Sequence, residues 1–466
     1  MGTLKLVMKF GGSSLADGRG IRRVAEIIKR YSSEHTCIVV VSALMGVTDR
    51  LIGLMALAQE GDKKGVDLGM KELIIKHEDA VKEAMIDREK LIDALDSVQP
   101  SFEELGRLLN AMTVLREGTP RTKDRILSFG EALSCLLLYH TLSDMGVKAQ
   151  SFMGGDAGIV TDENFGEASP LMEVTRMKTS TNLTPLLNTG ITPVVAGFTG
   201  VTQHGDVTTL GRGGSDYTAT ILGFSLDVDE VWIWSDVDGI MTCDPKLVSS
   251  AKLIPELSFA EALEMATFGI KQFHPRALEP SIRASIPLRI RNTFNESNPG
   301  TLISGAPKAG HGIVKAVALV KDVGMITVSG AGMAGRPGTA ARVFDVLGRE
   351  NVNVLMISQS ASEASITFLV RKNALYKAVS DLEIALLGRG VIDNVAFEDD
   401  VSIVAAIGAG MKGTPGVAAK IFQAVAKKGV NIRMIAQGSS ELNISFVVAQ
   451  EDGQAAVQAI HEAFNL

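Results

Sequence analysis

The sequence predicts an α/β protein in which a mostly parallel sheet, covered by helices, precedes two ferredoxin-like βαββ domains. Apolar, strand-like runs alternate with helical patterns over the first two thirds of the chain, and this order is typical of parallel sheets. Glycine is frequent, with 47 residues, as tight strand-to-helix turns require. The last third of the chain contains an internal repeat, which predicts two copies of one small domain.

Length and charge restrict the class of protein. A chain of 466 residues is too long for one ordinary domain, and 46% hydrophobic residues are enough for a substantial core. The net charge is −7, and the sequence has no basic patch of the kind that binding nucleic acid or an anionic membrane would need. No apolar run reaches the roughly 18 residues that span a bilayer, and the N-terminus has no secretory signal pattern. We therefore expect no nucleic-acid partner and no membrane partner.

The three cysteines are widely spaced and form no metal-ligand pattern. We expect Cys37 and Cys135 to be core residues, because both lie in apolar runs. An odd, low cysteine count predicts a reducing, cytoplasmic location.

Five apolar runs are predicted to form strands of the first domain. They are Leu4–Phe10, Thr36–Ser42, Thr192–Gly197, Glu230–Ser235 and Pro287–Ile290. Charged residues with helical spacing predict a helical insertion over 53–120, packed on one edge of the sheet. Turn residues gather near 295–300 and 305–312. We therefore predict one domain over 1–305 and a linker over 306–322.

The repeat aligns Gly330–Val370 with Gly408–Val448 without a gap, at an offset of 408 − 330 = 78 residues. Of the 41 aligned positions 20 are identical, whereas average residue usage predicts about two or three. The repeat predicts domains over 323–395 and 400–466, with helices over Thr339–Arg349 and Val417–Lys428. We expect the two sheets to pair side by side and to leave a pocket at their seam.

A glycine cluster at 208–216 predicts a site for a small anion. Arg212 lies among the glycines and offers a planar fork for a carboxylate or phosphate. We expect Ser215 to cap the following helix and to present its hydroxyl. The alternative is an ordinary glycine-rich turn with an N-cap.

A second glycine-rich turn follows the first predicted strand. Lys9 precedes Gly11, Gly12 and Ser13, whose backbone amides could hold phosphate oxygens while the lysine neutralises their charge. Neither the P-loop spacing nor a dinucleotide-binding fingerprint is present. The alternative is a plain strand-to-helix turn.

Together the motifs resemble the aspartokinases, amino-acid kinases that carry tandem regulatory ACT domains. The resemblance covers essentially the whole chain. It is carried in order by Lys9–Ser14, Val41–Thr48, Ser128–Glu131, Thr208–Tyr217, Trp234–Gly239 and Phe268–Lys271, and then by the repeat. It implies the amino-acid-kinase fold and transfer of the γ-phosphoryl group of ATP to the side chain of L-aspartate. The product would be 4-phospho-L-aspartate, the first intermediate toward lysine, threonine and methionine.

The resemblance also implies roles for individual residues. Catalytic roles fall to Lys9, Arg212, Asp236 and Lys271. The predicted aspartate contacts are Thr48, Glu131, Phe198, Arg212 and Ser215. The predicted ATP contacts are Lys9, Gly11, Gly12, Ser13, Ser235, Asp236, Met241, Lys246 and Lys271. Mg²⁺ is expected to arrive with ATP, and no dedicated metal site is predicted.

Some of these positions have alternative interpretations. Many relatives have Thr where this chain has Ser235, and an aromatic residue where it has Met241. Glu131 could be an ordinary glutamate that favours the dipole at a helix start, and Thr48 an ordinary loop residue. His274 is interpreted as structural, because a carboxylate nucleophile needs no base at neutral pH.

An end-product amino acid is expected to bind the ACT domains. The predicted effector contacts are Asn353 and Gln359 in the first copy and Asn431 and Gln437 in the second. Leu355 and Arg433 stand where some lysine-sensitive relatives have Asp, which favours threonine over lysine. We expect a monofunctional protein that forms a homodimer or a dimer of dimers through these domains. The alternatives are another amino-acid kinase and a non-catalytic amino-acid-binding regulator.

Overall fold

The computed structural model describes residues 2–269, 273–305, 312–387 and 391–466. The chain divides into two compact units, each assembled from more than one segment. The first unit comprises Met1–Ile240, Pro255–Phe259 and Lys271–Pro307, and the second comprises Met241–Ile254, Ala260–Ile270 and Lys308–Leu466.

The first unit is built on an eight-stranded sheet. The strands up to residue 305 are β1 (Lys5–Phe10), β2 (Thr36–Val41), β3 (Ala149–Phe152), β4 (Val160–Thr161), β5 (Thr192–Ala196), β6 (Thr199–Thr202), β7 (Val207–Thr209), β8 (Glu230–Ser235), β9 (Glu256–Ser258), β10 (Leu288–Asn292) and β11 (Thr301–Ser304). The large sheet has the order β3-β5-β2-β1-β8-β10-β11-β9, and β4, β6 and β7 form a small second sheet. All pairs in the large sheet are parallel except β10 with β11.

Most helices of this part of the chain cover the sheet and extend from it, whereas the helix over Phe259–Thr267 lies almost wholly in the second unit. The helices are α1 (Gly18–Ser32), α2 (Val47–Glu60), α3 (Lys63–Ala84), α4 (Arg88–Leu115), α5 (Pro120–Asp144), α6 (Met172–Asn188), α7 (Gly214–Leu226), α8 (Phe259–Thr267) and α9 (Glu279–Ala284). The mostly parallel, helix-covered sheet is confirmed, and each of the five predicted strands is present.

Central strand β1 sets the position of the site. It pairs in parallel with β2 on one side and β8 on the other, and Phe10 lies level with both Val41 and Trp234. Because neighbouring parallel strands end at the same level, the segments that follow them emerge side by side. The glycines after β1 and Ser235 at the end of β8 therefore share one edge of the sheet.

The predicted helical insertion exists, but it packs differently from the prediction. It begins at Val47, earlier than predicted, and consists of α2, α3 and α4. Its main neighbours in the first unit are α1 and α5, which already cover the sheet, rather than an edge strand. The prediction of packing on a sheet edge was wrong, because the sequence shows an apolar stripe on each helix but not which surface covers that stripe.

Helix α5 is the central core helix of the first unit. It is long and apolar enough to cross a membrane by length and composition, but 72% of its most apolar window is buried inside the structure. Thr119 caps its start, where the hydroxyl accepts the Thr122 amide. Burial on several sides explains the apolar composition.

The second unit contains both repeat copies. Its strands after residue 311 are β12 (Ala316–Ser329), β13 (Val354–Gln359), β14 (Ser365–Arg371), β15 (Asn394–Ile407), β16 (Met434–Ala436) and β17 (Asn443–Ala449). Its helices there are α10 (Thr339–Arg349), α11 (Lys372–Ala385), α12 (Val417–Lys427) and α13 (Gly453–Phe464). The strands form one six-stranded sheet of order β13-β14-β12-β15-β17-β16, so the two copies pair through their sheets as predicted.

The copies are interleaved rather than consecutive. The first half of β12, residues 316–320, pairs with 403–407 of the second copy, while the second half pairs with β14 of the first copy. The predicted linker over 306–322 is therefore wrong for the residues from Ala316 onward, which lie in β12. The predicted break between 395 and 400 is also absent, because β15 runs through it.

Two segments of the first 305 residues belong to the second unit. They are Met241–Ile254 and Ala260–Ile270, so a single domain over 1–305 is not what the structure shows. Buried Cys243 joins the apolar core of the second copy with Phe446 and Ile460, and Leu247 packs against that core.

Buried His77 is an acid-sensitive point in the helical insertion. Its Nδ1 lies 2.7 Å from the Leu73 carbonyl, and its ring meets Phe102 edge-on. Nε2 is buried and has no hydrogen-bond partner among the described residues. Burial lowers the pKa of His77 from 6.5 to about 4, so the neutral ring is the stable form.

We expect His77 to destabilise the fold in mild acid. The unfolded chain binds a proton below pH 6.5 and the folded chain only near pH 4, so stability is lost as the pH falls through this window. Between pH 7.5 and pH 5 the loss is about 2 kcal/mol. Chemical unfolding of His77→Leu should show a pH dependence smaller by this amount. Equal dependence in both proteins would contradict the prediction.

Candidate functional site

A cavity of about 560 Å³ opens in the first unit, where β1 and β2 end and α2 and α7 begin. Many of the predicted site residues line it together. These are Lys9, Gly12, Ser13, Thr48, Glu131, Phe198, Arg212 and Ser215. The aspartate contacts implied by the sequence thus share one space, although they come from distant parts of the chain.

Lys9 is held by a carboxylate at the cavity wall. Its ammonium nitrogen lies 2.6 Å from a carboxylate oxygen of Asp216, and both side chains are almost buried. Lys9 comes from the end of β1 and Asp216 from the first turn of α7. The sequence interpretation gave Asp216 no role, although it directly follows Ser215 in the glycine motif. Its carboxylate fixes the direction of the lysine side chain and balances its charge.

The glycine cluster forms the sharp entry into α7. Gly213 is the N-cap residue, with φ of 73°, and a side chain there would meet His274. Ser215 lies inside the helix, so the prediction that it caps α7 is wrong: glycine accepts the left-handed conformation that this entry needs. The first turn of α7 lines the cavity and adds the partial positive charge of a helix N-terminus.

Arg212 lies exposed on this glycine turn and lines the cavity. Within the described ranges no carboxylate lies within ion-pair distance of its guanidinium. His274, in contrast, has a structural contact: its ring accepts the Arg276 amide at the start of a short 3₁₀ turn. Burial, Arg276 and Arg212 lower the pKa of His274, which keeps the ring neutral.

Glu131 provides a buried carboxyl group at the cavity. It lies in the middle of α5, not at a helix start, and is 4% exposed. One carboxylate oxygen accepts the Ala43 amide at 3.2 Å, while the other is buried without a partner among the described residues. Burial raises the pKa of Glu131 to about 8, against the opposing effects of hydrogen bonds and Lys9. A buried carboxylate oxygen of this kind needs a cation or a donor.

Thr48 and Phe198 complete the cavity wall. Thr48 lies in the first turn of α2, whose N-cap residue Gly46 has no side chain to occupy the helix end. Phe198 has φ of 66°, a strained conformation for an aromatic residue. Hydrogen bonds from its amide to Thr218 and from Leu210 to its carbonyl hold that conformation.

The turn after β1 differs in one respect from the prediction. The Gly11 amide donates to the Trp234 carbonyl at 3.2 Å, so it is not available to a phosphate as the sequence interpretation proposed. The Gly12 amide has no backbone acceptor in the described part of the chain. Ser13 donates to Asp236 at 3.3 Å, which connects this turn to the end of β8.

The remaining predicted nucleotide residues are not gathered by one described cavity. Ser235 and Asp236 lie at the end of β8, outside the cavity lining. Met241 and Lys246 belong to the second unit, and Lys271 lies outside the described residues. Their predicted roles stay predictions.

Comparison with known proteins identifies the family. The amino acid kinase family matches residues 5–292, and the ACT domain matches 326–386 and 404–464. Aspartokinase 1, chloroplastic, of Arabidopsis thaliana is 34% identical over 98% of this chain and 80% of its own length. The chain belongs to the aspartokinase family.

A solved structure and a longer relative extend this comparison. E. coli aspartokinase III in complex with aspartate and ADP matches with a TM-score of 0.84 and 31% identity, covering 99% of this chain and 100% of that one. Bifunctional aspartokinase/homoserine dehydrogenase 2 of Arabidopsis thaliana is 33% identical over 100% of this chain. The chain spans 51% of that relative's length, about half of it.

The predicted effector residues of this aspartokinase-family chain lie at sheet edges. Asn353 directly precedes β13 and Gln359 ends it, while Asn431 and Gln437 flank β16. β13 and β16 are the two edge strands of the six-stranded sheet, and all four amide side chains are exposed. Exposed edges leave their polar groups accessible to a ligand.

Asp124 is a further residue that the sequence interpretation missed. This 1%-exposed carboxylate, in the first turns of α5, accepts the amide and hydroxyl of Thr209 at 2.8 Å each and the Gly166 amide at 2.9 Å. Burial raises its pKa, while the three hydrogen bonds oppose that shift. Asp124 therefore ties α5, which carries Glu131, to the turn that carries Arg212. It precedes Glu131 by seven residues, the spacing of one helix face, which was the available signal.

We expect Asp124→Asn to loosen the glycine turn. An asparagine amide would face at least one backbone donor, and a buried donor left unpaired costs about 1–3 kcal/mol. Amide exchange over 207–213 should therefore become faster by tenfold or more. Asp162→Asn is the matched control, because half-buried Asp162 accepts the Asn164 and Ser169 amides in a neighbouring loop. Equal exchange in the two variants would contradict a special role for Asp124.

Proposed function

We propose that the chain is an aspartate kinase, which transfers the γ-phosphoryl group of ATP to the side-chain carboxylate of L-aspartate and forms 4-phospho-L-aspartate. The observation that carries this proposal is the pairing of opposite charges in one cavity: the buried, half-satisfied carboxylate of Glu131 and the guanidinium of Arg212. Aspartate carries one ammonium and two carboxylates, and this arrangement complements all three together with Lys9.

The substrate's backbone groups would bind the ends of this arrangement. The α-ammonium would donate to the free oxygen of Glu131, and the α-carboxylate would accept from Arg212 and from the hydroxyl of Ser215. Phe198 and Thr48 would restrict the orientation of the chain between them. The side-chain carboxylate would then face Lys9, the remaining cation of the cavity wall.

Phosphoryl transfer to a carboxylate brings two anions together, so the protein's contribution is orientation and neutralisation of charge. Lys9, held by Asp216, would stabilise the negative charge that spreads over the transferring group. The carboxylate is already ionised at neutral pH and attacks without a base. This agrees with His274 acting as a structural residue.

ATP would enter as its magnesium complex. Phosphate oxygens would bind the Gly12 amide and the first turn of α7, both of which line the cavity. Within the described ranges no three histidine, cysteine or carboxylate side chains gather to hold a metal. We therefore treat Mg²⁺ as part of the substrate, bound by phosphates and water.

An amino acid is proposed to regulate this activity through the ACT domains, with threonine favoured over lysine. Arg433 lies beside β16 and pairs with Glu398 and Asp400, so the carboxylates that could bind a lysine ammonium there are already engaged. A structure of E. coli aspartokinase III holds lysine and aspartate, which keeps lysine as the alternative. We also propose a homo-oligomer formed through the ACT domains and, since all three cysteines are buried and free, a reducing compartment.

The proposal is tested by ADP release from MgATP with and without L-aspartate, with hydroxylamine trapping the acyl phosphate. The intact protein should give aspartate-dependent trapping, suppressed by threonine at lower concentration than by lysine. Lys9→Met should lower kcat by about 10²–10³-fold, as is typical when one group that stabilises transition-state charge is lost. If the acyl phosphate is trapped only with another acceptor, the chain is a different amino-acid kinase. If no acyl phosphate is trapped with any acceptor, the result favours a non-catalytic amino-acid-binding regulator.

The pKa of Glu131 gives a second prediction for the same assay. At pH 7 the carboxyl of the unoccupied site is mostly protonated, because its pKa is about 8, and binding an ammonium requires the ionised form. KM for aspartate should therefore fall several-fold between pH 7 and pH 8.5, while KM for ATP changes less. Glu131→Gln should raise KM for aspartate roughly 10–100-fold and remove this pH dependence. A pH dependence that survives in Glu131→Gln would assign it to another group.

A further inference from the structure

The two repeat copies use different hydrogen-bond acceptors for the same backbone amide. A Gly-Ala-Gly-Met turn occupies 330–333 in the first copy and 408–411 in the second. In the first copy the Ala331 amide donates to the Asp393 carboxylate at 2.7 Å. In the second copy the equivalent Ala409 amide donates to the Glu261 carboxylate at 2.8 Å. Glu261 belongs to α8, which is not part of the repeat.

The difference has a definite cause in the sequence. The Asp393 amide donates to the Ser329 carbonyl at 2.9 Å, and the Lys315 amide donates to the Ile407 carbonyl at 2.8 Å. Ser329 and Ile407 are equivalent, since 407 − 329 = 78, so Lys315 occupies the place of Asp393. A lysine side chain only donates hydrogen bonds. At this position the second copy therefore has a side chain that cannot accept the alanine amide.

Glu261 supplies the carboxylate acceptor for the Ala409 amide that the second copy itself lacks. Its second carboxylate oxygen lies 2.9 Å from the Lys315 ammonium, so one carboxylate binds both the cation and the amide. Glu261 is 0% exposed and Lys315 is 9% exposed, whereas Asp393 is exposed. Because a buried charge without its partner is strongly unfavourable, Glu261 and Lys315 must move together. In this unit α8 is thus tied to the turn of the second copy.

A second segment from the kinase part of the sequence is held by the same copy. The Thr242 carbonyl accepts the Val317 amide at 2.8 Å, and the Thr242 hydroxyl lies 3.0 Å from Nε2 of buried His461. Both α8 and Met241–Ile254 lie within the range that matches the amino acid kinase family. The latter carries Met241 and Lys246, which are predicted nucleotide contacts.

We propose that Glu261 and Lys315 form the contact through which the second ACT copy regulates the kinase, acting on the use of ATP rather than on aspartate binding. This inference rests on the proposed function. An effector regulates only if it binds two arrangements of the protein unequally. An effector that shifts the 408–411 turn shifts α8 with it, because the buried pair persists. The first copy completes its equivalent turn with its own Asp393 and transmits nothing by this route.

The test rebuilds the second copy in the manner of the first. The double variant Lys315→Asp with Glu261→Met places a carboxylate where Asp393 stands in the first copy and fills the space of Glu261 with an apolar chain. The Ala409 amide thereby keeps a carboxylate acceptor, as the Ala331 amide has in the first copy. Asp393→Asn is the matched control, because it weakens the equivalent cap in the first copy without touching α8.

The readouts are kcat, KM for ATP, KM for aspartate and half-inhibitory concentrations of L-threonine and L-lysine. The double variant should keep kcat within about threefold, while the half-inhibitory concentration rises at least about tenfold, within the range of typical coupling. The effector should raise KM for ATP in the intact protein and in Asp393→Asn, but not in the double variant. Glu261→Gln, which keeps an acceptor for Ala409 but no charge, should give a partial loss and serves if the double variant fails to fold.

Three outcomes would overturn the inference: an unchanged response in the double variant, an equal loss in Asp393→Asn, or an effect on KM for aspartate alone. Amide exchange over 259–267, measured with and without L-threonine or L-lysine, distinguishes failure of this coupling from failure of the proposed kinase function. Exchange that responds in the intact protein but not in the double variant supports the coupling even without kinase activity. If neither amino acid changes this exchange in the intact protein, the proposed coupling is overturned.

Discussion

The parallel pairing of β1 with both β2 and β8 is the constraint on which the site depends. It brings the turn after β1 level with the ends of its two neighbours, so Lys9 reaches the first turn of α7 and Ser13 reaches Asp236. A shift of β1 by one residue would turn Lys9 to the other face of the sheet. The buried apolar faces of β1 prevent that shift, and sheet packing thereby maintains the geometry of the charged groups.

The cavity contains three features that are each unfavourable for the stability of the fold. Glu131 is buried with one oxygen unsatisfied, Phe198 has a strained backbone, and Lys9 is almost buried beside Asp216. Each is unfavourable for folding and is tolerated because the surrounding helices and strands are well packed. A ligand whose ammonium donates to the free oxygen of Glu131 would relieve the first of these costs on binding, which is how such a site gains selectivity.

Much of the fold could be predicted from the sequence, because apolar runs and the repeat directly report strands and duplication. The glycine motifs indicated Lys9 and Arg212 as anion-binding residues. The identity of the ligand and the other site residues followed only from the resemblance, since short glycine motifs do not specify their partners. Asp124 and Asp216 were missed because their roles depend on residues far away in the chain. The interleaving of β12 and β15 was missed because the repeat begins at Gly330, after the exchanged strand. The prediction that Ser215 caps α7 was wrong, because the helix begins after Gly213, which has the left-handed backbone conformation that this turn requires.

The interleaved strands also affect the order in which the protein can fold during synthesis. Residues 316–320 leave the ribosome well before 403–407, their partners in the sheet, and Met241–Ile254 precedes the α13 residue His461 by more than 200 positions. Contacts over such separations close large loops and form late. The first unit can assemble its central strands early, whereas the segments around Thr242 and Glu261 must wait for the second copy. A newly made chain would thus position the segments around Thr242 and Glu261 only after the second ACT copy is complete.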